Sequence, residues 1–167
     1  MDDAAPTSPG RPGSRIERLI GEYAESHRSL ANRLAQAIAL PLIVWSLLAL
    51  LSALPFPAGW GVVPGIDWAT IAVAVIVLGY LMLSWPIALG LAAFSLLCLF
   101  VAGAYVRWGE LPIWQLAITT LLAGTALHVV GGRLEGRPIS PAERLRSLLV
   151  GPAWLLALVY RLLGVRY

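Results

Sequence analysis

Residues 36–54 read QAIALPLIVWSLLALLSAL, an unbroken stretch without a charged side chain. A helix rises about 1.5 Å per residue, so this run matches the roughly 30 Å hydrocarbon core of a bilayer. It predicts a membrane-spanning helix. Pro41 falls near its start, where one lost backbone hydrogen bond is re-satisfied close to the interface. Downstream, Pro55, Pro57, Gly59, Gly61, Pro64 and Gly65 predict an uncharged loop, with Trp60 and Trp68 where aromatic belts form. A second span is expected over about 67–83. Ser84, Trp85 and Pro86 then predict a tight turn, and a third span runs to about Val106. After a short loop from Arg107 to Leu111, Pro112 opens a fourth span that ends near Gly131 and Gly132.

Upstream, residues 14–34 have helical periodicity. Ile16, Leu19, Ile20, Tyr23, His27, Leu30 and Leu34 recur at three- and four-residue steps, and Arg15, Glu17, Arg18, Glu22, Glu25 and Arg28 fill most of the rest. This predicts an amphipathic helix at the membrane interface or packed on the bundle, with Ser14 and Glu17 as a capping box. Residues 1–13 hold Asp2, Asp3, prolines and glycines and no apolar h-region. They are expected to form a disordered tail, with the first apolar run serving as an uncleaved insertion signal. Residues 14–167 form one membrane-embedded domain on this reading. At the other end, Pro141 to Gly164 is again helical. Its apolar run from Ser147 to Tyr160 is short for a span and is expected to be interrupted at Gly151 and Pro152, so a re-entrant or interfacial helix is expected rather than a fifth crossing.

Composition agrees with an all-α integral membrane bundle of about four transmembrane helices. Hydrophobic residues make up 59%, charged residues 13%, and the mean hydropathy is +0.79; a soluble domain is nearer half apolar and a quarter charged. Cys98 is the lone cysteine, which excludes an intrachain disulfide framework. The 12 basic residues are all Arg, and they are not clustered as a nucleic-acid partner requires. Arg11, Arg15, Arg18, Arg28 and Arg33 flank the first span, and Arg133, Arg137, Arg144 and Arg146 follow the fourth. The first loop has none, and the third-to-fourth connection has only Arg107. The bias predicts both termini in the cytoplasm, in a bacterial inner membrane. Nothing in the sequence sets an oligomeric state.

The chain holds 2 histidines, His27 on the apolar stripe of the first helix and His128 near the end of the fourth span. The topology puts both at the cytoplasmic face. Neutral imidazole is a common ligand for iron and zinc, and ionisable groups at membrane depth are usually functional. A hydrogen-bonded structural histidine is the competing reading for each. Asn32 and Gln36 share a helix face in the same layer, and Glu135 lies at the membrane exit. Gln115, Thr119 and Thr120 lie along the fourth span, where a threonine hydroxyl bonds back to its own helix. No phosphate-cradling glycine loop, zinc cysteine pair or nucleophile elbow is present in the sequence.

The order of short motifs carries a resemblance. Glu22-Tyr23, His27, Asn32-Arg33 and Pro41 to Val44, followed by His128 to Gly132, Leu134 to Arg137, Pro141-Ala142 and Leu148 to Pro152, resemble the Mpo-type 2-hydroxy fatty acid dioxygenase family over roughly residues 20–160. The resemblance implies a small multi-pass membrane protein that uses ferrous iron and O2 to shorten 2-hydroxy long-chain fatty acids by one carbon. It implies histidine ligands at the helix ends, with His27 at the first. It also implies histidine where this chain has Gln36 and Gly132, and glutamine where it has His128. A rebuilt site would use His27, His128 and Glu135, a two-His-one-carboxylate set suited to non-haem Fe(II); Glu25 is the alternative carboxylate. Arg133, Arg137 and Asn32 are the expected contacts to the substrate head, since Arg pairs bidentately with carboxylate. The competing functions are a non-catalytic homologue that binds lipid or a partner protein, and a small transporter or channel subunit. The second lacks any visible inverted repeat.

Overall fold

The computed structural model describes residues 18, 30–57, 66–133, 141–162 and 164. The expected tail, His27 and most of the predicted amphipathic helix, Trp60, Glu135 and Arg137 lie outside the described residues. The described residues form five helices: α1 (Leu30–Ala53), α2 (Trp68–Leu81), α3 (Trp85–Trp108), α4 (Ile113–Arg133) and α5 (Pro141–Leu162). The all-helical architecture is as expected. α1, α3 and α4 have 24, 24 and 21 residues and are long and apolar enough to cross a membrane. The expected second span is the 14-residue α2, about 21 Å of helix against a core of about 30 Å.

α1 includes residues upstream of the predicted span. No breaker separates Leu30 from the apolar run, so residues 30–34 belong to the first membrane-length helix. Leu34 is 57% exposed, and the buried face at this end is Asn32, Gln36 and Ala39. The last position of the predicted apolar stripe therefore points outward. Ser46 donates to Leu42 O at 2.6 Å and Ser52 to Leu48 O at 2.9 Å, which satisfies both hydroxyls inside the helix. Asp67 caps α2: its carboxylate accepts from the Thr70 N–H and hydroxyl, each at 2.8 Å. The chain then turns at residues 82–84, where Leu83 N and Ser84 N both donate to Tyr80 O. Pro86 sits in the first turn of α3, where its missing N–H costs no helical bond.

The helices alternate in direction. Early α1 meets late α4 at Asn32 and Gly131, and Ala39, Leu42 and Ile43 meet Gly124. Ala49 clusters with Ala102 of late α3 and Ala117 of early α4. Ala69, at the start of α2, clusters with Leu48 and Cys98. The start of α1, the α2–α3 turn and the end of α4 thus share one end of the bundle.

α5 packs at that same end. Val150, Ala153, Trp154 and Ala157 bury Ile87 together with Tyr80. The Tyr160 hydroxyl donates to Pro86 O at 2.8 Å. α5 runs unbroken through Pro152, where an interruption was expected. Pro152, with Gly151 and Ala153 beside it, is buried. That packing holds the helix in line despite the one missing backbone bond.

The exterior of the bundle is apolar, and several polar side chains lie within its largely apolar interior. Asn32, Gln36, Ser46, Ser95 and His128 are buried, while Leu78, Leu96, Phe100, Trp108 and Leu122 are exposed. An apolar exterior on three membrane-length helices marks a membrane protein, because lipid solvates such a surface and water does not.

The α1–α4 pair is held close by a missing side chain. A Cβ at position 131 would stand 2.8 Å from Asn32 Oδ1 and 2.9 Å from Ala35 Cβ, whereas one at Gly79 meets nothing within 4 Å. Gly131→Ala should therefore destabilise the bundle by about 1–3 kcal/mol through overpacking. Gly79→Ala should be neutral or stabilise by up to about 1 kcal/mol through helix propensity. Thermal unfolding in one detergent compares them, and equal midpoints would contradict the packing account.

Candidate functional site

Two helices build the site. On α1, Asn32 and Gln36 are four apart and so lie one above the other on a single face. On α4, His128 lies one turn before Gly131 and one turn after Gly124, on the face that meets α1. The two glycines let the backbones approach, and the polar side chains fill the layer between them.

This layer is sealed. Asn32 is 1% exposed, Gln36 0% and His128 4%. A buried amide or imidazole without partners costs several kcal/mol in an apolar medium, and here the groups satisfy one another. His128 Nδ1 and Gln36 Oε1 are hydrogen-bonded across the helix pair. Gln36 Nε2 donates to Asn32 Oδ1 at 3.1 Å and, more weakly, to His128 O at 3.4 Å. Gln36 is the hub: its carbonyl faces the imidazole and its NH2 faces two oxygens.

The expected site residues divide as follows. His128 is buried in the bundle near one end, as expected. Asn32 is also in the layer, where its carbonyl oxygen accepts from Gln36 Nε2. Arg133 is the last residue of α4 and is exposed. It sits little more than one turn beyond His128. His27, three positions ahead of Leu30, Glu25, Glu135 and Arg137 lie outside the described residues. Among the described residues no group of three His, Cys, Asp or Glu is drawn together; two of the three expected iron ligands are not among those residues.

Some polar positions weighed alongside these fall elsewhere. Gln115 and Thr119 are 13 and 9 residues before His128 on α4, which is roughly 14–20 Å along the axis. Thr119 donates to Leu116 O at 2.9 Å and to Gln115 O at 3.1 Å, the back-bonding expected of it. The residue that spacing undervalued is Gln36. The available signal was an amide four positions from Asn32 at the mouth of a charge-free run, where an unpaired amide is costly.

Comparison of the chain with protein-family models, with curated proteins and with solved structures gives no match.

Proposed function

We propose that this protein is an Fe(II)-dependent, dioxygenase-like membrane protein that acts on 2-hydroxy long-chain fatty acids. It crosses a bacterial inner membrane four times, with α2 as the short second crossing, α5 at the interface and both termini in the cytoplasm. The observation that carries the reading is His128, a buried imidazole near the end of a membrane-length helix, with one ring nitrogen tied to the Gln36 carbonyl. Metal-bound histidines are commonly held in this way, by an oxygen acceptor on the nitrogen that does not face the metal.

The Mpo-type resemblance gains support from the same contact. It implies histidine at position 36 and glutamine at position 128. This chain holds the reverse, and Gln36 and His128 are hydrogen-bond partners. A reciprocal exchange across one contact keeps an amide–imidazole pair and moves the imidazole from α1 to α4. Gly132, where the resemblance implies another histidine, has no side chain to coordinate, so Glu135 is the proposed third donor beside His27 and His128.

Iron held there supplies O2 binding and activation. The protein's own residues bind and orient the acid. Arg133 and Arg137 neutralise its carboxylate at the membrane exit, and the acyl chain lies along the apolar helices or in lipid. The overall reaction balances with one O2: the 2-hydroxy acid yields an acid one carbon shorter, CO2 and water. A second reading, a non-catalytic homologue that binds lipid or a partner protein, draws on the same buried pair, since an amide–imidazole contact also holds two helices together.

Protein purified in detergent without oxygen and loaded with Fe(II) should retain about one iron per chain, as one two-His-one-carboxylate site requires. His128→Ala and His27→Ala should each lose it, and the wild type should consume O2 with a 2-hydroxy long-chain acid. A wild type that retains no iron and consumes no O2 leaves the non-catalytic reading. The double variant Gln36→His with His128→Gln should melt near the wild type, whereas either single change should cost about 1–3 kcal/mol by unpairing a buried group. Equal losses in all three would remove the exchange as support. Cysteines placed at Ser8 and at Val165 in a Cys98→Ala background should both react with an impermeant thiol reagent from the cytoplasmic side only. Labelling from opposite sides would refute the four-span topology.

A further inference from the structure

We propose that Gln36, held by Asn32 and by the backbone of α4, fixes the tautomer of His128 and so selects Nε2 as its ligand atom. The inference deepens the iron-site reading and rests on it for the identity of the metal.

The starting point is a group that cannot rotate. The carbonyl oxygen of His128 belongs to the α4 backbone and is an acceptor whatever the side chains do. It lies 3.4 Å from Gln36 Nε2. Turning the Gln36 amide over would set its Oε1 against this oxygen, lone pair to lone pair. Asn32 Oδ1, 3.1 Å from Gln36 Nε2, reinforces the same orientation. The backbone anchor therefore requires the NH2 of Gln36 on its side, with the Asn32 amide turned to match, and Oε1 on the other, where it meets His128 Nδ1. An amide oxygen only accepts, so Nδ1 must carry the proton. A neutral imidazole has one N–H, and its lone pair is then on Nε2.

Packing keeps the relay in register. Asn32 and Gln36 are fully enclosed, and Gly131 leaves the room that Asn32 Oδ1 occupies, 2.8 Å from where a Cβ would stand. Gln36 and Asn32 are thus positioning residues. Neither touches a substrate in this account; they set which nitrogen of His128 presents electrons and hold the ring plane.

The test reads the ring itself. Detergent-solubilised, metal-free protein labelled with 15N-histidine gives two imidazoles, and the His128 signals are assigned by their loss in His128→Asn. The ring should show a protonated Nδ1 and an unprotonated Nε2. A protonated Nε2 in the wild type overturns the proposal whether or not the protein binds iron. Gln36→Leu, which removes both the acceptor and the donor, should give a mixed tautomer and weaken Co(II), used as the spectroscopic probe, by about 10- to 100-fold, the usual cost of losing a ligand-orienting partner. Unchanged ring signals in Gln36→Leu also overturn it. If Gln36→Leu does not fold, the wild-type spectrum alone decides. A correct tautomer with no Co(II) or Fe(II) bound sinks the iron reading and leaves the relay standing.

Discussion

The bundle depends on the close approach of α1 and α4. Gly124 and Gly131 remove the side chains that would keep the two backbones apart. Ala39, Leu42 and Ile43 of α1 then meet α4 at Gly124, and Asn32 and Ala35 meet it at Gly131. In lipid no hydrophobic effect drives two apolar helices together, so association rests on packing and on hydrogen bonds between them. This pair has both. The small residues allow contact, and the Gln36–His128 bond, one turn from Gly131, gives the contact a register. Sliding α4 by one residue would carry His128 off the face and break the Gln36–His128 bond.

The other helices arrange themselves around that pair. α3 joins it at Ala102, against Ala49 and Ala117, and α2 joins through Ala69 against Leu48 and Cys98. α5 adds its apolar face at the end where the polar layer lies, closing over Tyr80 and Ile87. The polar layer, the chain reversal at 82–84 and α5 are therefore gathered at one end. At the opposite end, Trp68 Nε1 donates to Pro55 O at 3.1 Å, and its ring meets Phe56 edge-on at 5.3 Å.

A tied imidazole near a membrane interface also suits the proposed substrate. A long-chain acid has its head at the aqueous boundary and its tail in hydrocarbon. On the proposed reading, His128 buried just inside that boundary, with exposed Arg133 about one turn further out, has the same polarity gradient. The same burial gives the site its ordering, because a group that exchanged hydrogen bonds with water would not hold one orientation.

The sequence by itself determined the solvent and the elements. Long charge-free runs can be satisfied only as helices in lipid, so the spans near 36–54, 85–106 and 112–132 were legible, as were the turns at proline and glycine. It also named Asn32 and His128. Helix ends were less legible: residues 30–34 run on into the first span because nothing between Leu30 and Pro41 stops a helix, and α2 is only 14 residues long because Asp67 caps it and the turn at 82–84 ends it. What only the tertiary structure decided is the partnership of Gln36 with His128. Periodicity tells which residues share a face of one helix, but the facing of two helices 92 positions apart in sequence at that contact is set by where glycine permits their backbones to meet, and that is a property of the packed pair.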